Sequence, residues 1–240
     1  MSSDTPETIV IGILALQGAF AEHQTILSRL KLPSHPLTSL LVRTPQDLAQ
    51  CSALIIPGGE STTIASVAAR TGMLDLLKEF CQNVDKPVWG TCAGCILLAK
   101  EATGLKKGGQ ELFGGMGVGV KRNGYGTQLE SFEVMLDVPA LRDPERPFAG
   151  VFIRAPIIEH VNESAPTSIS IHTEIVARVP PSCLPAELHD AAETSNKDYT
   201  VVAMRQGKKF VTTFHPELTK DDRLHEYFIK RCVLGLVAQK

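Results

Sequence analysis

Apolar positions along the chain fall into two rhythms. Short unbroken runs at residues 9–16, 40–42 and 53–56, and a fourth beginning at Pro87-Val88, read as strands. The first and third are apolar enough to be buried on both faces, as central parallel strands are. Between the runs, residues 20–30 and 64–80 place apolar side chains at helical spacing. Thr44-Pro45 reads as a helix start, with threonine as the cap and proline at the first helical position. Ser61, Thr62 and Thr63 are candidate caps for the helix after the third run.

The second half is less regular. Residues 95–100 are helix-like, and residues 103–119 are glycine-rich and read as a loop or solvated linker. Strands are expected around a turn at residues 122–126, over residues 148–154, and over part of 168–179. Residues 180–197 hold three prolines and little periodicity, so they read as a surface insertion. Residues 199–204 and 210–214 suggest a hairpin across Gln206-Gly207-Lys208. Residues 221–238 suggest a C-terminal amphipathic helix capped by Thr219.

Composition narrows the class. A chain of 240 residues with 43% hydrophobic and 21% charged residues fits one soluble globular domain after a polar tail at residues 1–8. A formal charge of -2 gives no reason to expect nucleic acid or an anionic membrane as partner. The apolar runs are too short to span a bilayer, and the N-terminus does not read as a signal peptide. Six cysteines without framework spacing fit reduced thiols in a cytoplasmic protein.

The chemistry centres on Trp89-Gly90-Thr91-Cys92-Ala93-Gly94. Strand, tight glycine-flanked turn and helix are the layout of a nucleophile elbow. A thiol at a helix N-terminus sits where the helix dipole favours thiolate. Taken alone, the hexapeptide fits a buried structural cysteine equally well. His215 supplies the partner, because it directly follows a buried strand and Glu217 stands two residues on. In extended chain that spacing puts imidazole and carboxylate on one face, where the carboxylate fixes the tautomer of the base. The N–H of Ala93 is then the first oxyanion donor, and Gly59 in Pro57-Gly58-Gly59-Glu60-Ser61 is the expected second. Gln17, at the end of the first strand, is a site element or a loop cap. The remaining histidines lack a comparable partner. Cys92-Ala93-Gly94-Cys95 also spells a redox C-x-x-C, but that reading leaves the 57–61 loop and His215-Pro216-Glu217 unused. No second close pair of ligands suggests a metal, and Cys95 reads as a packing residue.

These motifs resemble a known family. Gly12-Ile13-Leu14-Ala15-Leu16-Gln17-Gly18-Ala19, the loop from Pro57 to Thr63, Gly90-Thr91-Cys92-Ala93-Gly94, Phe152-Ile153-Arg154-Ala155-Pro156 and Phe214-His215-Pro216-Glu217-Leu218-Thr219 are similar to the glutaminase subunits of pyridoxal 5'-phosphate synthase. The resemblance implies a single doubly wound, flavodoxin-like α/β domain with a mostly parallel sheet, of the class I glutamine amidotransferase type. It implies that Cys92, with His215 and Glu217, hydrolyses L-glutamine through a thioester and needs no cofactor. It places L-glutamine against Gly58, Gly59, Glu60, Ser61, Arg122, Ile153 and Arg154. It turns Gln17 toward a TIM-barrel synthase subunit that receives the ammonia. Compared with compact bacterial members, length is added near residues 31–39, 104–115 and 180–197, as in a eukaryotic member.

Overall fold

A computed structural model describes residues 8–32, 35–105, 108–126, 130–162 and 172–236. The N-terminal tail to residue 7, Lys106-Lys107 and the first part of the strand expected at 168–179 lie outside these residues.

The apolar runs become strands β1 (Ile9–Leu14), β2 (Leu37–Val42), β3 (Ala53–Ile56) and β4 (Val88–Thr91). Helices α1 (Phe20–Arg29), α2 (Pro45–Ala49), α3 (Ser61–Arg70) and α4 (Leu74–Gln82) connect them. The second strand starts at Leu37, so the expected 31–39 loop is shorter than the prolines suggested. The long helix expected over 64–80 is two helices, because Gly72 at φ 71° breaks it. Thr44 caps α2 in a capping box with Asp47. The cap of α3 is Glu60, whose carboxylate accepts from the Thr62 and Thr63 N–H groups, so the expected Ser/Thr caps are corrected.

After β4 the chain forms α5 (Ala93–Leu98), β5 (Ala99–Thr103), β6 (Met116–Lys121), β7 (Ser131–Leu136), β8 (Phe148–Ile153), β9 (Ile157–Val161) and β10 (Thr173–Arg178). Helix α6 (His189–Thr194), β11 (Val201–Gln206), β12 (Lys209–Thr212) and α7 (Arg223–Tyr227) follow, and α7 runs on as a π-helix over Phe228–Val233. Thr219 does not cap α7; Asp222 holds that position, and Thr219 accepts from the Asp221 N–H in the preceding turn.

The seven-stranded sheet has the order β10-β11-β12-β4-β3-β1-β2. Strands β2, β1, β3, β4 and β12 are parallel, whereas β11 and β10 add antiparallel pairs. The parallel part is the doubly wound, flavodoxin-like order. Alternate strand residues feed two cores. Ile11, Ile55, Trp89 and Phe210 face α1 and α7, while Leu54, Ile56, Val88 and Val211 face α2 to α5. Burial on both faces explains why these strands read as unbroken apolar runs.

Beyond this sheet, β5, β6 and β9 form a second one, and β7 and β8 pair in a third. The strands on either side of residues 122–126 therefore do not form one hairpin. The glycine-rich 103–119 segment is no solvated linker: Phe113 is fully buried and its N–H bonds the Leu97 carbonyl. Residues 180–197 are likewise structured, with Leu184 and Ala192 packed into the core that holds Trp89.

Candidate active site

Cys92 stands at the apex between β4 and α5 with φ 45° and ψ -98°, a conformation a side chain adopts only under strain. The surroundings hold it there. Its N–H donates to the Thr212 carbonyl at 2.9 Å. Gly90 and Gly94 lie against each other, and a Cβ on Gly94 would collide with the Ile56 carbonyl, so the helix seats close behind the turn only without one. The Cys92 side chain is 5% exposed, and its thiol faces the Ile153 carbonyl at 3.8 Å.

His215 arrives from β12, the strand hydrogen-bonded to β4, with Thr212 in register with Thr91. The sheet itself therefore sets the separation of the two side chains. His215 Nδ1 lies 2.8 Å from Glu217 Oε1, and the carboxylate is fully buried. Burial alone would lower the imidazole, but the Cys92 and Glu217 side chains outweigh it and hold the group up at about 10. The ring lies against Gly58, where a Cβ would strike Cε1 and Nδ1. The 57–60 loop and the histidine thus share a wall.

The Gly58 carbonyl accepts from the Ala19 N–H at 2.9 Å, and Gln17 Oε1 accepts from the Glu60 N–H at 2.8 Å. Gln17 is half-buried and engaged with this loop. Glu60 pairs with Arg122 Nη2 at 2.8 Å. Burial raises the Glu60 carboxyl, but hydrogen bonds from Thr63 and Thr62 prevail and hold it down at about 2. Ser61 is buried and donates to Gln110 Oε1 at 2.9 Å. Ile153, the last residue of β8, and Arg154 just after it are exposed, Arg154 with φ 43°. Gly58 is therefore brought against His215 and Glu60 of the same loop against Arg122, while Arg154 stays exposed beside the Ile153 carbonyl that meets the thiol.

Two expectations change. The other histidines are not all solitary: His160 pairs with Glu101 at 2.7 Å, and His23 and His225 are buried against each other at 2.9 Å. His23 Nε2 also lies 3.6 Å from Glu217 Oε2. Gln110 joins the site from the glycine-rich segment, whose composition reads as linker and hides it. Cys95 is fully buried with its thiol pushed up by burial, as expected of a packing residue. Among the described residues no group of side chains could hold a metal ion, and no helix is long and apolar enough to cross a membrane.

The profile of the SNO glutamine amidotransferase family matches residues 13–234. The chain belongs to the SNO glutamine amidotransferase family. Pyridoxal 5'-phosphate synthase subunit PdxT of Herpetosiphon aurantiacus is 42% identical over 221 residues, covering 92% of this chain and 99% of that protein. Probable pyridoxal 5'-phosphate synthase subunit PDX2 of Arabidopsis thaliana is 42% identical over 231 residues, covering 92% of this chain and 85% of that one. A crystal structure described as a glutamine amidotransferase superposes with a TM-score of 0.70 at 38% identity, over 94% of this chain and 99% of the other. A putative GMP synthase component from Thermoplasma acidophilum, at 13% identity and a TM-score of 0.56, covers 95% of this chain and 96% of its own; it shares the fold. The SNO amidotransferase fold is thus the doubly wound sheet described above.

Proposed function

We propose that this chain is the glutaminase subunit of a pyridoxal 5'-phosphate synthase. Cys92 attacks the side-chain amide of L-glutamine; ammonia leaves, and water releases glutamate from the thioester. The observation that carries the reading is the strained Cys92 elbow beside the His215–Glu217 pair, on adjacent hydrogen-bonded strands. His215, held protonated between Cys92 and Glu217, gives its proton to the leaving amine, and Glu217 holds its Nδ1 side. A thiol buried to this extent reacts only with a substrate led to it.

The N–H of Ala93 and that of Gly59 are assigned to the developing oxyanion. Glu60 and Arg122 are opposite charges at the mouth of the site, suited to the ammonium and carboxylate of an amino acid. Gly58, Gly59, Ser61, Ile153 and Arg154 complete the glutamine site in this assignment. The partner is a TIM-barrel synthase subunit that takes up the ammonia, and the compartment is the cytoplasm. Gln17 joins the first strand end to the Gly59–Glu60 peptide. A partner touching Gln17 therefore acts directly on the oxyanion loop, and we assign full competence of that loop to the complex.

A glutaminase assay with and without the synthase subunit tests this. Glutamate production rises when the synthase is added, and Cys92→Ala abolishes it. Unchanged turnover in Cys92→Ala would sink the assignment.

A further inference from the structure

Glu217 has one oxygen accounted for and one not. Oε1 meets His215, whereas Oε2 is buried without a hydrogen-bond partner among the described residues. Such an atom calls for an explanation. The group facing it is His23 Nε2 at 3.6 Å, with both side chains fully buried. His23 comes from α1 and sits at 0% exposure beside His225 of α7 and the edge of Trp89. Its Nδ1 lies 2.9 Å from His225 Nε2, and its Nε2 lies 3.4 Å from Thr91 Oγ1, one residue before Cys92.

The arrangement selects one proton placement. Burial, then the neighbouring His225 and His215, hold His23 well below its usual value, and burial pushes His225 down to about 3. Both rings are neutral near pH 7, so one donates to the other. His225 Nδ1 is buried and has no partner among the described residues. A proton there would be an orphaned donor, so the His225 proton belongs on Nε2, directed at His23 Nδ1. His23 must then carry its own proton on Nε2, between Thr91 Oγ1 and Glu217 Oε2. The reverse tautomer would aim a lone pair at the carboxylate.

We infer that His23, fixed by His225 with its proton on Nε2, is a positioning residue that presents a second N–H to Glu217 and keeps its other oxygen on His215. It touches neither substrate nor thiol; it acts through Glu217. The 3.6 Å separation is longer than a hydrogen bond, and the inference assigns its shortening to the reacting complex. The inference rests on the glutaminase reading of the site.

Nitrogen NMR of the imidazoles in the full chain reads the tautomer directly. A proton on His23 Nε2 is expected; one on Nδ1 overturns the inference, whatever the protein catalyses. Two variants then separate positioning from packing, assayed with the synthase subunit. In His23→Gln the amide reaches the Nε2 position and kcat stays within about threefold. In His23→Asn the amide keeps His225 but stops short of Glu217; kcat falls roughly tenfold or more, with KM for glutamine unchanged. The pH profile of kcat shifts in the Asn variant and not in the Gln variant. Equal kcat in all three proteins, or an equal loss in both variants, overturns the inference. Wild-type turnover in the same mixture tests the functional reading separately.

Discussion

Two residues at the site answer to its chemistry rather than to stability or side-chain packing. Cys92 is held at φ 45°, a conformation that costs on the order of 1–3 kcal/mol for any residue with a Cβ. Cys92→Gly is therefore expected to melt higher than Cys92→Ala, both being inactive, although glycine in a chain normally lowers stability. Thermal unfolding of the two variants checks this. Gly58 is the second case. A methyl group there would strike the His215 ring, so Gly58→Ala displaces the imidazole from Cys92. We expect a fall in kcat of roughly tenfold or more, the order-of-magnitude cost of a misplaced base, with little change in melting temperature. Steady-state kinetics and a melting curve on one preparation suffice. At this scale much of the site is legible in the sequence: Cys92, His215, Glu217 and the 57–60 loop all announce themselves by spacing. His23 and His225 do not. They are 202 positions apart, and nothing local in either segment says that α1 and α7 place them together.

At the scale of elements, Glu60 combines two duties. It caps α3 through the Thr62 and Thr63 N–H groups and pairs with Arg122. Glu60→Ala should cost about 1 kcal/mol through the lost cap. In the glutaminase reading it should also raise KM for glutamine more than it lowers kcat. Denaturant melts and kinetics with varied glutamine read the two effects independently. Apolar runs bounded by glycine or proline locate β1, β3 and β4 because those strands are buried on both faces. The region from β5 to β9 resists the same reading. Its strands pair across long sequence separations, and glycines 117 and 119 lie within β6 rather than marking a loop. Residues 180–197 mislead for a related reason: short turns and one helix carry few buried residues, Leu184, Pro185 and Ala192, too few to show a period.

For the whole molecule, the buried histidines set opposing pH dependences. His225 titrates near 3 when folded and near 6.5 when unfolded. Its stabilising contribution is complete above about 6.5 and is lost as pH falls toward 3, because the unfolded chain binds the proton more readily. His215 does the reverse. Its folded value near 10 makes its contribution full below about 6.5 and gone above 10. Melting temperature should therefore fall on the alkaline side between about pH 7 and 10, and Glu217→Gln should flatten that limb by removing a group that holds the proton. Differential scanning calorimetry from acid to alkaline pH would show an alkaline limb indifferent to Glu217→Gln if the coupling were absent.

The pairing of β4 with β12 has one more consequence. Cys92 belongs to the first half of the chain, His215 and Glu217 to the second, and inter-strand hydrogen bonds rather than the intervening peptide hold them in register. Gly108 and Gly109, where an added Cβ meets none of the described residues, lie between the halves. A chain divided there distributes the chemistry over two polypeptides, each inert by itself. Co-expressed, they should reassociate through β4–β12 and β5–β6 and recover glutamine hydrolysis, making the enzyme a split reporter of its own assembly.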